Sequence, residues 1–127
     1  MKKLDSYGEG EIMNEYRLSP HRFKELKHFC LQYNEIKDNL RTLNEIDLIK
    51  SKDSTSLLAI KRNEYSQAIK LIEMTAFESE KFLGGYILKS VSEDLSYTAL
   101  NIPCSKYVFD YLREKYFWLL SERKGYS

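Results

Sequence analysis

The residues most able to do chemistry lie together between Ser105 and Ser121, where Lys106, Tyr107, Asp110, Arg113 and Lys115 recur at helical spacing. Projected at about 100° per residue, this segment separates two faces. Val108, Phe109, Leu112, Tyr116, Leu119 and Leu120 fall on one and are expected to face a core. Tyr107, Asp110, Tyr111, Glu114 and Trp118 fall on the other, flanked by Lys106, Arg113, Lys115 and Phe117. Ser105 precedes them as a cap. In one reading Lys106, Tyr107, Asp110 and Arg113 meet the major groove of double-stranded DNA, with polar tips aimed at base edges or phosphates, and Ser105 and Lys115 complete the candidate DNA-binding set. In the other, the aromatic residues pack on neighbouring helices and the charges form a solvated rim.

Other reactive side chains do not gather. His21 and His28 are seven residues apart, and His28 with Cys30 lacks metal-ligand spacing, so no metal is expected. Cys104 has no histidine nearby in sequence to activate it and reads as a small thiol in a turn. Gly84-Gly85 falls far short of a phosphate loop. No acid, base and nucleophile form a recognisable set, so neither enzymatic activity nor a cofactor is expected. Cys30 and Cys104 are read as two separate thiols in a reducing compartment, since they lie far apart without a CxxC pattern.

The elements that must position Lys106 to Lys115 are written in the preceding residues. Ser96 and Ser105 are each placed to cap a helix by accepting a hydrogen bond from an orphaned backbone N–H. Between them Pro103 ends the first helix, because it has no N–H to donate and disfavours a helical Ile102. This is the grammar of a helix-turn-helix, and equally that of an ordinary helical corner.

Upstream, Ser19-Pro20 announces a helix expected to run to about Ile49. Phe23, Leu26, Phe29, Cys30, Tyr33, Ile36, Leu40, Leu43 and Ile46 give it one apolar stripe. Lys50 to Ser54 reads as a linker, and a second helix is expected from Ser54 or Thr55 to about Ser79. So short a break predicts a long antiparallel hairpin. Phe29, Tyr33, Leu40, Ile69 and Ile72 are its expected seam. Phe82-Leu83 then opens a third helix, weakened at Gly84-Gly85 unless another backbone passes close to the glycines. With no alternating apolar pattern the fold class is all-α.

At 127 residues and 43% hydrophobic, the chain suits one domain with a real core. Residues 1–12 are expected to be a disordered tail, 13–78 the hairpin and 79–127 the helix-turn-helix region of a single helical domain 13–127. Gly8 to Glu11 precede Met13 at a spacing that makes Met13 a second candidate start. No apolar run approaches the roughly 20 residues of a membrane span, and the first residues lack the apolar centre of a signal peptide, so a cytoplasmic protein is expected. Lys plus Arg number 20 against 19 Asp plus Glu, so any contact with nucleic acid must come from local clustering. The far end of the hairpin, at Leu43, Ile46, Leu48 and Ile49, has more apolar positions than one antiparallel partner covers. Leu43, Ile46 and Ile49 are therefore the candidate contact of a homodimer.

The order NEYRLSPHRFKELKHFCLQY, DSTSLLAIKR, IEMTA and GYILKSVSEDLSYTALNIPCSKYVFDYLREKYFWLL resembles small proteins of phages and prophages of Gram-positive bacteria. These are grouped with the RinA, ArpU and LtrC-like late transcription regulators. The likeness runs from Met13 onward and is most specific over NIPCSKYVFDYLREKYFWLL. It implies a helix-turn-helix like that of sigma factor region 4, acting in a bacterial host on phage promoters and without enzymatic activity. It maps the turn to Ile102, Pro103, Cys104 and Ser105 and the recognition helix to Lys106 through Leu120. Where relatives carry a run of arginines this chain reads Leu112-Arg113-Glu114-Lys115. From Ile102 to Ser127 five Lys or Arg stand against three acids, a net of two positive charges. Two functions therefore stand from the sequence: a DNA-binding transcriptional regulator, and a helical module that kept the fold and docks on RNA polymerase, another host protein or a phage packaging component.

Overall fold

The computed structural model describes residues 16–50 and 57–125, apart from the side chains at 47–50. These residues form six helices and no strand: α1 Pro20–Leu31, α2 Tyr33–Lys50, α3 Leu57–Ser79, α4 Gly84–Glu93, α5 Tyr97–Leu100 and α6 Lys106–Arg123. The expected tail 1–12, the linker after Lys50 and the helix start near Ser54 or Thr55 lie outside the described residues.

Ser19 caps α1 as its sequence demands. Its Oγ accepts from the N–H of Arg22 at 3.2 Å, and Pro20 takes the first helical position. The stripe predicted as one helix to Ile49 is two helices. At Gln32 the N–H bonds back three residues to the carbonyl of Phe29 (3.3 Å), and the four-residue pattern resumes when Ile36 donates to Gln32 (2.8 Å). One tight closure of this kind re-aims the chain without ending its helical path. Tyr33, the first residue of α2, is 5% exposed and donates its hydroxyl to Glu73 of α3.

α3 is the shared wall, packing against α2, α4 and α6. Leu26 and Cys30 of α1, Ile72 and Ala76 of α3, Ile87 and Val91 of α4, and Leu112, Tyr116 and Leu120 of α6 form the main core. Of the expected seam, Tyr33 and Ile72 are buried, while Phe29, Leu40 and Ile69 are half-buried. Phe29 packs against the edge of this core and carries the ammonium of Lys124 at 3.9 Å from its ring centre. The buried Tyr116 satisfies its hydroxyl against the carbonyl of Ile72 (3.3 Å) and the sulfur of Cys30 (3.3 Å).

The turn between α3 and α4 is tied by Glu80, whose Oε1 accepts from the N–H groups of Phe82 (2.6 Å) and Leu83 (2.8 Å). α4 begins at Gly84, two residues later than Phe82-Leu83 predicts. A Cβ on Gly84 would stand 2.8 Å from the Cα of Phe77, so glycine is required there for the close approach of α3. α4 ends at Asp94, which adopts a left-handed φ of 55°. Its carboxylate lies 3.6 Å from Lys27 and 4.0 Å from Arg113, joining α1, α4 and α6 at one corner.

Candidate nucleic-acid interface

The joint before α6 is built by local hydrogen bonds. Ser96 Oγ accepts from the N–H of Ala99 (3.4 Å) and Ser105 Oγ from the N–H of Val108 (3.2 Å), so both expected caps are made. Asn101 closes α5 with a φ of 56°, a left-handed conformation that asparagine tolerates better than most residues. Tyr97 donates its hydroxyl to the carbonyl of Cys104 at 2.5 Å and lays its ring 5.8 Å from that of Phe109. Leu100, Ile102 and Phe109 form a second small core, against which Leu83, just ahead of α4, and Tyr86 of α4 pack. The angle of α6 to α5 is thereby fixed by a small cluster that Leu83 joins to the main core.

α6 buries a wider arc than its projection suggests. Phe109, Leu112, Tyr116 and Leu120 face inward as expected. Val108, expected inside, is 36% exposed, and Phe117, expected on the flank, is 2% exposed. The reason is α1, which crosses that flank and sets Phe23 edge-on to Phe117 at 5.1 Å. The buried row is then Phe109, Arg113, Phe117 and Ser121, stepping by four residues, with Ser121 accepting from Arg22 at 3.2 Å.

Arg113 therefore points into the molecule. Its side chain is 22% exposed, its Nε donates to Ser90 Oγ at 3.0 Å, and its guanidinium lies 5.4 Å from the centre of the Phe117 ring. Burial pulls its pKa down, and the nearby Asp94 carboxylate opposes that shift. The tip of Tyr107 is also withdrawn, because its hydroxyl is buried with no hydrogen-bond partner. Neither group has the solvent-facing tip that groove contact was expected to use. Tyr111 and Trp118 are covered from a side the sequence did not indicate: Tyr16, ahead of α1, stacks on both at 5.6 and 5.5 Å.

Ser105 and Lys106 remain outward at the start of α6, with Lys106 bridging to Asp110 at 2.7 Å. Lys115 and Glu114 are half-buried, and burial raises the Glu114 pKa against the pull of Arg17. Of the six residues expected at the interface, the structure gathers Ser105, Lys106 and Asp110 on one open edge. Of the expected dimer contact, Leu43 and Ile46 are half-buried, and the side chain of Ile49 lies outside the described residues.

Among the described residues no group of His, Cys, Asp and Glu could hold a metal ion, and no helix is long and apolar enough to cross a membrane. Cys30 is buried, and loss of hydration pushes its thiol up to about 11, the opposite of an activated nucleophile. Phe82, expected to open the third helix, instead lies in the turn before α4 and is 82% exposed. Set against family models, curated proteins and solved structures, the chain matches none of them.

Proposed function

We propose that this chain is a phage-type DNA-binding regulator of transcription, built as a long antiparallel helical hairpin followed by a helix-turn-helix in which α5 leads into α6 as the recognition helix. The observation that carries the reading is the joint. A doubly capped α5–turn–α6 corner holds the open first turn of α6 on a small core. An element that must enter a groove needs this combination of a rigid angle and an uncovered N-terminal edge. Ser105 and Lys106 supply phosphate contacts, and Asp110 orients Lys106.

The charge on this edge is small, and few counterions would be released by one copy. Two copies solve that problem by reading half-sites about one helical turn apart, and the reading therefore includes a homodimer. Arg113 is assigned a positioning role, since it holds α6 to Ser90 of α4.

Selection from a random duplex library tests the proposal directly. The expected outcome is enrichment of a repeated half-site, with affinity falling steeply between about 50 and about 200 mM salt. Lys106→Ala should weaken binding across sequences and lower the salt slope by about 1. Failure to enrich any duplex at low salt would overturn the reading and favour a protein-docking module.

A further inference from the structure

α3 carries a second stripe that the core does not use. Leu57, Ile60, Glu64, Gln67, Leu71 and Met74 recur at steps of three and four, the spacing of a coiled-coil seam. Ile72 and Ala76 mark the buried side of the same helix, and Glu73 meets Tyr33 of α2. At about 100° per residue the middle of the stripe is turned about 110–150° away from those three. Leu57, Ile60 and Met74 are exposed, and Leu71 is half-buried. Such an apolar row on one outward face marks a docking surface.

The two halves of the stripe differ in shape. From Glu64 to Met74 it floors a groove of about 830 Å³, whose opposite wall is Phe29 of α1 with Arg123 and Lys124 at the end of α6. Leu57 and Ile60 lie beyond that lining and form a bare ridge. Ridge and groove thus follow one another along one helix, and a two-fold axis between Glu64 and Gln67 sets the ridge of each copy into the groove of the other. The layers of that arrangement pair like with like: Leu57 with the partner's Met74, Ile60 with the partner's Leu71, and Glu64 with the partner's Gln67. Symmetry repeats all three. Glu64 lies on the edge of the stripe nearest Thr75, which accepts from Arg123 at 3.2 Å. Each Glu64 carboxylate is thereby brought to the side on which the other copy's groove is walled by Arg123 and Lys124. Parallel pairing would instead set Glu64 against Glu64 and ridge against ridge. Sliding the antiparallel pair by one heptad would set Ile60 against Glu78 or Glu64, so one register is favoured over its neighbours.

We infer that α3 docks antiparallel on α3 of a second copy of this chain, through the row from Leu57 to Met74. The stripe faces away from α2, so this contact is separate from Leu43 and Ile46 and stands whether or not those residues join copies. It is equally independent of DNA contact by α6. Its polar centre fixes the register at a cost in affinity, and the pairing is therefore read at submillimolar concentration.

Sedimentation equilibrium tests the pairing on the full chain. The mass of the wild type, and that of Ile46→Glu, should each double between micromolar and submillimolar concentration. Ile60→Glu should keep its thermal midpoint, because the site is exposed, and weaken this association by about tenfold or more. Should Ile60→Glu fail to fold, Met74→Glu replaces it and must give the same loss. Cross-linking reads the register: with Cys104→Ser as the background and copper phenanthroline as oxidant, Ile60→Cys mixed with Leu71→Cys should form an interchain disulfide that Ile60→Cys alone does not. Three results would overturn the proposal: a mass that stays constant over that range, a doubling retained by Ile60→Glu or Met74→Glu, or Ile60→Cys linking to itself as readily as to Leu71→Cys. Loss of duplex DNA binding in Ile60→Glu at micromolar concentration would also overturn it, by assigning the stripe to the nucleic acid.

Discussion

Arg113 shows how one residue changes role when its surroundings are known. As a residue type it is, with Arg123, the strongest phosphate ligand in the C-terminal segment, yet its guanidinium bonds Ser90 and lies over Phe117. Arg113→Ala should therefore cost about 2 kcal/mol of stability, by removing the charged hydrogen bond to Ser90 and opening space beside Phe117. Lys106→Ala, on an exposed site, should stay within about 0.5 kcal/mol of wild type. Urea unfolding of the two variants separates the roles, and equal stability would show that Arg113 has been misplaced. The buried acids of the core make a second prediction. Burial raises the thiol of Cys30 from 9.0 to about 11, and it also raises the hydroxyls of Tyr33 and Tyr116 above their usual value. The folded state thus holds these protons more tightly than the unfolded chain does. The contribution of Cys30 is complete below about pH 9 and is lost as pH rises toward about 11, and that of the tyrosines is lost at higher pH. Thermal midpoints should fall across that window, and a flat profile there would contradict the burial of Cys30.

At the scale of the element, the paired glycines of α4 give opposite expectations from identical substitutions. Gly84→Ala drives a methyl into the backbone of Phe77 and should destabilise by about 1–3 kcal/mol, since α3 must move. Gly85→Ala meets open space and should stabilise by up to about 1 kcal/mol through helix propensity alone. Calorimetric midpoints that shift in the same direction for both would refute the assignment of the close approach to Gly84. The sequence raised close approach at the pair but did not separate its two members. Which of them faces α3 is set by where Phe77 lies, and that residue belongs to another helix.

For the whole molecule, the proposed homodimer places Leu43 and Ile46, both half-buried at the far end of α2, against a second copy. Light scattering at micromolar concentration should give a mass near twice the 15.1 kDa of one chain, and Ile46→Glu should return it to one. A wild-type mass of one chain would remove the dimer and with it the doubled charge that the DNA reading needs. The N-terminal approach also has a global consequence, because Tyr16 covers Tyr111 and Trp118 of α6 from outside the helical core. The aromatic side of α6 is thus partly covered by a residue that precedes α1 in the chain.

What the sequence determined by itself is local. The start of α1 at Ser19-Pro20, the caps at Ser96 and Ser105 and the break at Pro103 each depend on bonds within about four residues, and all stand where the residue types put them. The all-helical class follows from a period of three and four that no strand would produce. The interruption at Gln32 was not legible, since no proline or glycine marks it. The width of the buried arc on α6 was decided only by tertiary structure. A helical projection orders residues around an axis, and Arg113 takes its place between Phe109 and Phe117 whatever the fold. Whether that sector meets solvent or protein depends on α1 and α4 arriving there, and their arrival is an event between segments far apart in the chain. The two cations that seemed equivalent in sequence, Lys106 and Arg113, are separated by that event alone.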